Sequence, residues 1–168
     1  RYLRTIPLKT GSNPPADFHL VSESKTALEL DQDVIDMYSR MVREAGALFG
    51  ASHYDKYHFL VTCSDDLGTL GLEHLSSSIN GVRERDLIDS WRRKGWIANL
   101  IPHEYVHSWC GKYRIPAGQH VPNFHTPMKT GLLWVYEGLT EYLGELLMVR
   151  SGLVAPDEYK ETQIGRAH

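Results

Sequence analysis

The sequence predicts an α+β fold in which a small, mostly antiparallel sheet packs beside helices that carry the functional residues. Three observations lead there. Apolar residues recur with a helical period over residues 30–49 and again over 132–150. A third apolar segment, Trp96 to Trp109, suits a buried helix. Between the helices lie runs rich in β-formers, notably Tyr57–Thr62.

At 168 residues the chain is long enough for one domain with a real core. Its net charge of −3 and pI near 6.3 leave no polybasic footprint, which argues against nucleic acid as a partner. With 23% charged and 42% hydrophobic residues it has the composition of an ordinary globular protein. No apolar run is long enough to span a membrane. No signal-peptide pattern is present, and the compartment is not legible. Cys63 and Cys110 fit no disulfide framework and read as free thiols, with a pair as the alternative.

Residues 1–24 mix polar, Pro and apolar positions. Short strands are expected at Tyr2–Leu8 and Phe18–Ser22 around a Ser12-Asn13-Pro14-Pro15 loop. They read as the remnant of an N-terminal β-rich region, with the domain proper over residues 25–168 and incomplete at its C-terminal end. The helix over 30–49 places Val34, Met37, Tyr38, Met41, Val42, Ala45 and Leu48 on one face, with Asp31 or Asp33 to cap it and Gly50 to stop it. Strand Tyr57–Thr62 follows, then a loop over 63–71, then an expected edge strand, Leu72–Ser78. Residues 112–130 hold Pro116, Pro122 and Pro127 and read as a long surface loop. Gly152 ends the helix over 132–150, and Pro156 opens a short last one.

The chemistry centres on His103-Glu104-Tyr105-Val106-His107. Residues four apart share a helix face, so two imidazoles can reach one metal ion while the Glu sits over its open side. This H-E-x-x-H pattern arises by chance in about 3% of such sequences, so a third ligand has to be found. Glu137 is the best candidate: it lies on an otherwise apolar helix side beside Leu133 and Trp134, where a carboxylate is costly unless paired or metal-bound. Zn²⁺ is the expected metal, with Glu104 as catalytic base. Glu141, one turn further, can hydrogen-bond the outer nitrogen of a ligand His, or be an exposed carboxylate. Glu73 sits on the expected edge strand, where a carboxylate could hold a substrate α-amino group; by position alone it reads as a solvated side chain. His120 and His125 read as surface histidines, with extra ligands as the alternative, and Tyr159 is a weak candidate for an oxyanion donor. Pro102 is the local difficulty, because inside a helix it removes a hydrogen bond and costs about 3 kcal/mol. The helix must bend before His103 or restart there.

These residues carry a resemblance. His103 to Trp109, then Leu133-Trp134-Val135-Tyr136-Glu137-Gly138-Leu139-Thr140, then Val149-Arg150-Ser151-Gly152-Leu153, resemble the glycyl aminopeptidase family of zinc metallopeptidases. Gly71-Leu72-Glu73-His74 is similar to that family's Gly-x-Glu-His strand, and the likeness covers about residues 30 to 160. The resemblance implies a thermolysin-like zincin catalytic domain of the gluzincin group. It implies His103, His107 and Glu137 as zinc ligands, Glu104 as base and proton shuttle, and a peptide substrate held at Gly71, Glu73 and His74. It also suits Glu141 as partner of a ligand His. Release of small N-terminal residues (Gly or Ala) is the implied activity. The chain departs from the family pattern at Leu70, Pro102 and Glu141. An endopeptidase of the same fold, or a zinc-binding scaffold without catalysis, are the alternatives.

Overall fold

The computed structural model describes residues 1–123 and 125–166. Strands β1 (Tyr2–Pro7) and β2 (Ala16–Ser22) lead to helix α1 (Gln32–Phe49). Then come β3 (Tyr57–Cys63), β4 (Leu70–Glu73) and β5 (Ser77–Val82). Three helices follow: α2 (Gly95–Val106), α3 (Thr140–Ser151) and α4 (Pro156–Arg166). A π-helical turn, Trp134–Leu139, runs directly into α3. The expected α+β class is present.

The sheet order is β1-β2-β3-β5-β4. The expectation of a mostly antiparallel sheet is corrected: β1/β2 and β4/β5 are antiparallel, but the central ladders β2/β3 and β3/β5 are parallel. The cause is connectivity. The chain returns from β2 to β3 through α1, a crossover that brings the second strand in parallel. The expected strand Leu72–Ser78 is in fact a hairpin: β4 and β5 with the turn at His74–Ser76, where the His74 N–H donates to the Ser77 carbonyl at 2.9 Å. β1 and β2 lie within the first 24 residues, and β2 continues the same sheet by pairing Ala16–Ser22 with Tyr57–Cys63.

Alternation along the strands sets the two faces of the sheet. Phe18, Leu20, Phe59 and Val61 point inward and are buried, with Tyr38 of α1 against Phe18 and Tyr105 of α2 against Tyr57 and Phe59. The other face presents Leu60 and, on edge strand β4, Leu70 and Leu72, all exposed. α2 is apolar on nearly every side and is buried between the sheet and α3, as a helix without a polar face must be. It runs through Pro102 without restarting at His103, and ends at Val106. The turn that matters stays intact, since the His107 N–H reaches the His103 carbonyl at 3.2 Å. Both cysteines are free, and burial pushes the Cys63 thiol up to about 12. No described helix is long and apolar enough to cross a membrane.

Candidate active site

His103 and His107 project from the last turn of α2, and their Nε2 atoms lie 3.1 Å apart. Glu137 arrives from the π-helical turn, its Oε2 3.4 Å from each of those nitrogens. Two imidazole lone pairs and a carboxylate at this separation repel one another unless a cation lies among them. A tetrahedral ion 2.0–2.1 Å from its donors separates them by about 3.3–3.4 Å. The observed 3.1, 3.4 and 3.4 Å are close to three edges of such a tetrahedron, so the donor set fits a metal of zinc's size and preference.

The outer nitrogens are also accounted for. His103 Nδ1 is 3.0 Å from Glu141 Oε2, and His107 Nδ1 is 3.1 Å from the Cys110 carbonyl. Both partners accept, so each ring carries its proton on Nδ1 and turns a bare Nε2 inward. Burial lowers the His107 pKa and favours that neutral ring. Asn99, one turn before His103, donates to the same Glu141 oxygen at 3.0 Å.

Glu104 reaches toward Gly71 of β4 and is 6% exposed. An added Cβ on Gly71 would fall 2.0 Å from Glu104 Oε1, so the carboxylate occupies the space that a side chain on the strand would fill. Burial, with the Glu73 and Glu137 carboxylates near, pushes the Glu104 carboxyl up to about 8. A cation at the trio would draw it back down.

Glu73, two residues along β4 from Gly71, accepts a hydrogen bond from the Tyr136 hydroxyl and pairs with Lys112 Nζ at 3.1 Å, both through Oε1. Burial would raise its carboxyl; the Tyr136 bond, its own N–H and Lys112 more than offset this and hold it below the usual carboxylate value. Tyr136 also lies against the His107 ring, at 4.9 Å between centroids. Glu73, Lys112, Tyr136 and Glu137 line one cleft of about 370 Å³, with Ile115, His120, Met128 and Leu133 on its other walls. A larger groove of about 630 Å³, lined by Phe49, Trp109, Val135 and Leu143 among others, is apolar and holds none of the three donors.

The structure thus brings together His103, His107, Glu137, Glu104, Gly71, Glu73 and Glu141. It leaves other sequence candidates outside. His74 is exposed in the hairpin turn, and His125 is exposed and apart from the metal-type cluster. Tyr159 donates to Glu145 at 2.8 Å. Sequence reasoning missed Asn99, Lys112, Tyr136 and Gly144. Asn99 was within reach of it, being a polar residue on an apolar helix four positions before a ligand candidate. An added Cβ on Gly144 would lie 3.0 Å from His103 Cα and 3.1 Å from its backbone N, so this glycine lets α3 approach α2 closely enough for the carboxylates to meet His103.

A helix-borne pair of histidines, closed by a carboxylate from a neighbouring helix and flanked by an edge strand, defines a metallohydrolase type of site. Residues 96–167, a segment that holds all three donors, match the model of the M61 glycyl aminopeptidase family. The fold superposes on the crystal structure of an aminopeptidase N family protein from Idiomarina loihiensis with a TM-score of 0.76. The two are 23% identical over 94% of this chain and 27% of that one, so the chain spans about a quarter of that relative's length. That likeness shows a shared fold. No curated protein matches the chain.

Proposed function

We propose that this chain is the metal-binding core of a thermolysin-like zinc aminopeptidase that removes small residues from peptide N-termini. The observation that carries the reading is the convergence of His103 Nε2, His107 Nε2 and Glu137 Oε2 at tetrahedral-edge distances. A zinc ion held there supplies an acidified water and polarises the scissile carbonyl. Glu104 accepts the water's proton and passes it to the leaving nitrogen, a role suited to a buried carboxyl whose affinity for a proton is raised. Glu141 and the Cys110 carbonyl keep the two imidazoles in the ligating tautomer. β4 is an edge strand, so an extended peptide can add to it by main-chain pairing and bring its amino group to Glu73. Tyr136 holds that carboxylate in place.

A second reading has its own support. Lys112 already occupies Glu73 Oε1, which weakens Glu73 as an ammonium anchor and favours endopeptidase action. The test joins metal analysis with hydrolysis of aminoacyl-amides and their N-acetylated forms. The aminopeptidase reading expects about one zinc per chain. Cleavage should be lost with a chelator or with Glu104→Gln, and acetylated substrates should be refused. Equal cleavage of acetylated substrates selects the endopeptidase. Zinc at full occupancy with no hydrolysis of either removes both.

A further inference from the structure

The outer face of the sheet carries a second cluster of metal-type donors, independent of the first. Asp17 and His19 are two apart on β2 and share a face, and His58 on β3 stands directly opposite Asp17 in the parallel register. Their inward neighbours Phe18 and Phe59 are buried under α1 and α2, so these three project on the side away from Glu137. Donor atoms of Asp17, His19 and His58 all lie within 4.8 Å of one another, and each residue is half-buried.

The hydrogen bonding shows how an ion would enter. His19 Nε2 and His58 Nδ1 face each other at 2.9 Å, so one proton lies between two ring nitrogens. On its other side, His19 Nδ1 is 3.1 Å from the Thr5 hydroxyl of β1. A hydroxyl can donate or accept. If Thr5 accepts, the His19 proton moves to Nδ1, and Nε2 is left bare beside His58 Nδ1. The change is a tautomer switch with no net proton loss, and it needs the rings to part by about 0.4 Å to reach a tetrahedral edge. Asp17 supplies the third donor. Lys56 Nζ sits 2.7 Å from its Oδ2, but a carboxylate has a second oxygen, so the ion pair competes with a metal without removing the ligand.

We propose that Asp17, His19 and His58 form a second site for a borderline divalent metal such as Zn²⁺, clipping β2 to β3 with water completing the coordination. Two imidazoles and one carboxylate suit Zn²⁺, Cu²⁺ or Ni²⁺ and disfavour Mg²⁺ and Ca²⁺. A metal bound only to the folded sheet raises its melting temperature by mass action.

The test is a zinc titration by calorimetry on the full chain, with a magnesium titration as control. With His103→Ala and His107→Ala removing the first site, about one equivalent of zinc should still bind. Adding His58→Gln should abolish it together with the zinc-dependent rise in melting temperature. Lys56→Ala should tighten binding by up to about fivefold by freeing Asp17. If the double-histidine variant does not fold, the intact chain should show two equivalents, falling to one with His58→Gln. No zinc bound in the double variant, an equivalent there that survives both His58→Gln and His19→Gln, or an intact-chain stoichiometry that His58→Gln leaves unchanged, overturns the proposal.

Discussion

Gly71→Ala should disable Glu104 without touching it. The methyl group would be placed 2.0 Å from Glu104 Oε1, 2.6 Å from its Cδ and 3.0 Å from Leu100 Cδ1. Gly71 is not among the residues with positive φ, so the backbone itself accepts alanine. The whole effect is then the collision. The carboxylate has to retreat by more than 1 Å to restore van der Waals contact, and a shift of that size in a reacting group costs on the order of 100-fold in rate. The accompanying overpacking costs about 1–3 kcal/mol of stability, within what a domain of this size tolerates. The assay is turnover of an aminoacyl-amide, with bound zinc and the thermal melt measured alongside. We expect kcat to fall about 100-fold with zinc retained. Combined with Glu104→Gln, Gly71→Ala should add little, because both changes remove one group's contribution. A Gly71→Ala protein whose kcat stays within about threefold of the parent would refute the reasoning, as would losses that multiply in the double variant.

Three further outcomes follow from the same geometry. Glu141→Ala frees the outer nitrogen of His103 and should weaken zinc binding about 10–100-fold in a chelator competition. Gly144→Ala pushes a methyl against the His103 backbone, so α2 and α3 must part; the melting temperature should drop by about 2–10 °C and zinc affinity with it. Glu73 has a folded-state pKa depressed below its ordinary 4.5, so it contributes stability above that pH that is lost as pH falls through the folded value. Glu73→Gln should therefore lower the melting temperature most at about pH 8, and the difference from the parent should shrink as pH falls below the ordinary carboxylate value.

The donors of the metal-type cluster could be read from the sequence because their relation is local. His103 and His107 are fixed by helical spacing, and Glu137 stands out as an acid in an apolar segment. The residues that position them are another matter. Gly144 matters only because α3 crosses α2 at that point, and Lys112 only because it meets Glu73 from a loop 39 residues further along the chain. No periodicity reports such tertiary proximity. The sheet shows the same division. β3 is plain from its β-branched and aromatic run, but its parallel neighbours follow from where the chain travels between strands. The β4–β5 hairpin looks like one strand in the sequence because His74–Ser76 carries no Gly, Pro or Asn to mark the turn.

The π-helical turn at Trp134–Leu139 bears on how this protein can change over time. Glu137 and Glu141 grip one imidazole from two sides, at Nε2 and Nδ1, and they do so across the junction of a π turn with an α-helix. Removing one residue from 134–139 would restore α-helical winding and swing Glu137 by about 100° around the axis. Point substitutions that spare Tyr136 and Glu137 leave this winding in place, but a single-codon deletion or insertion does not. Length variation among functional relatives should therefore collect in the 112–129 loop and be absent between Trp134 and Glu141.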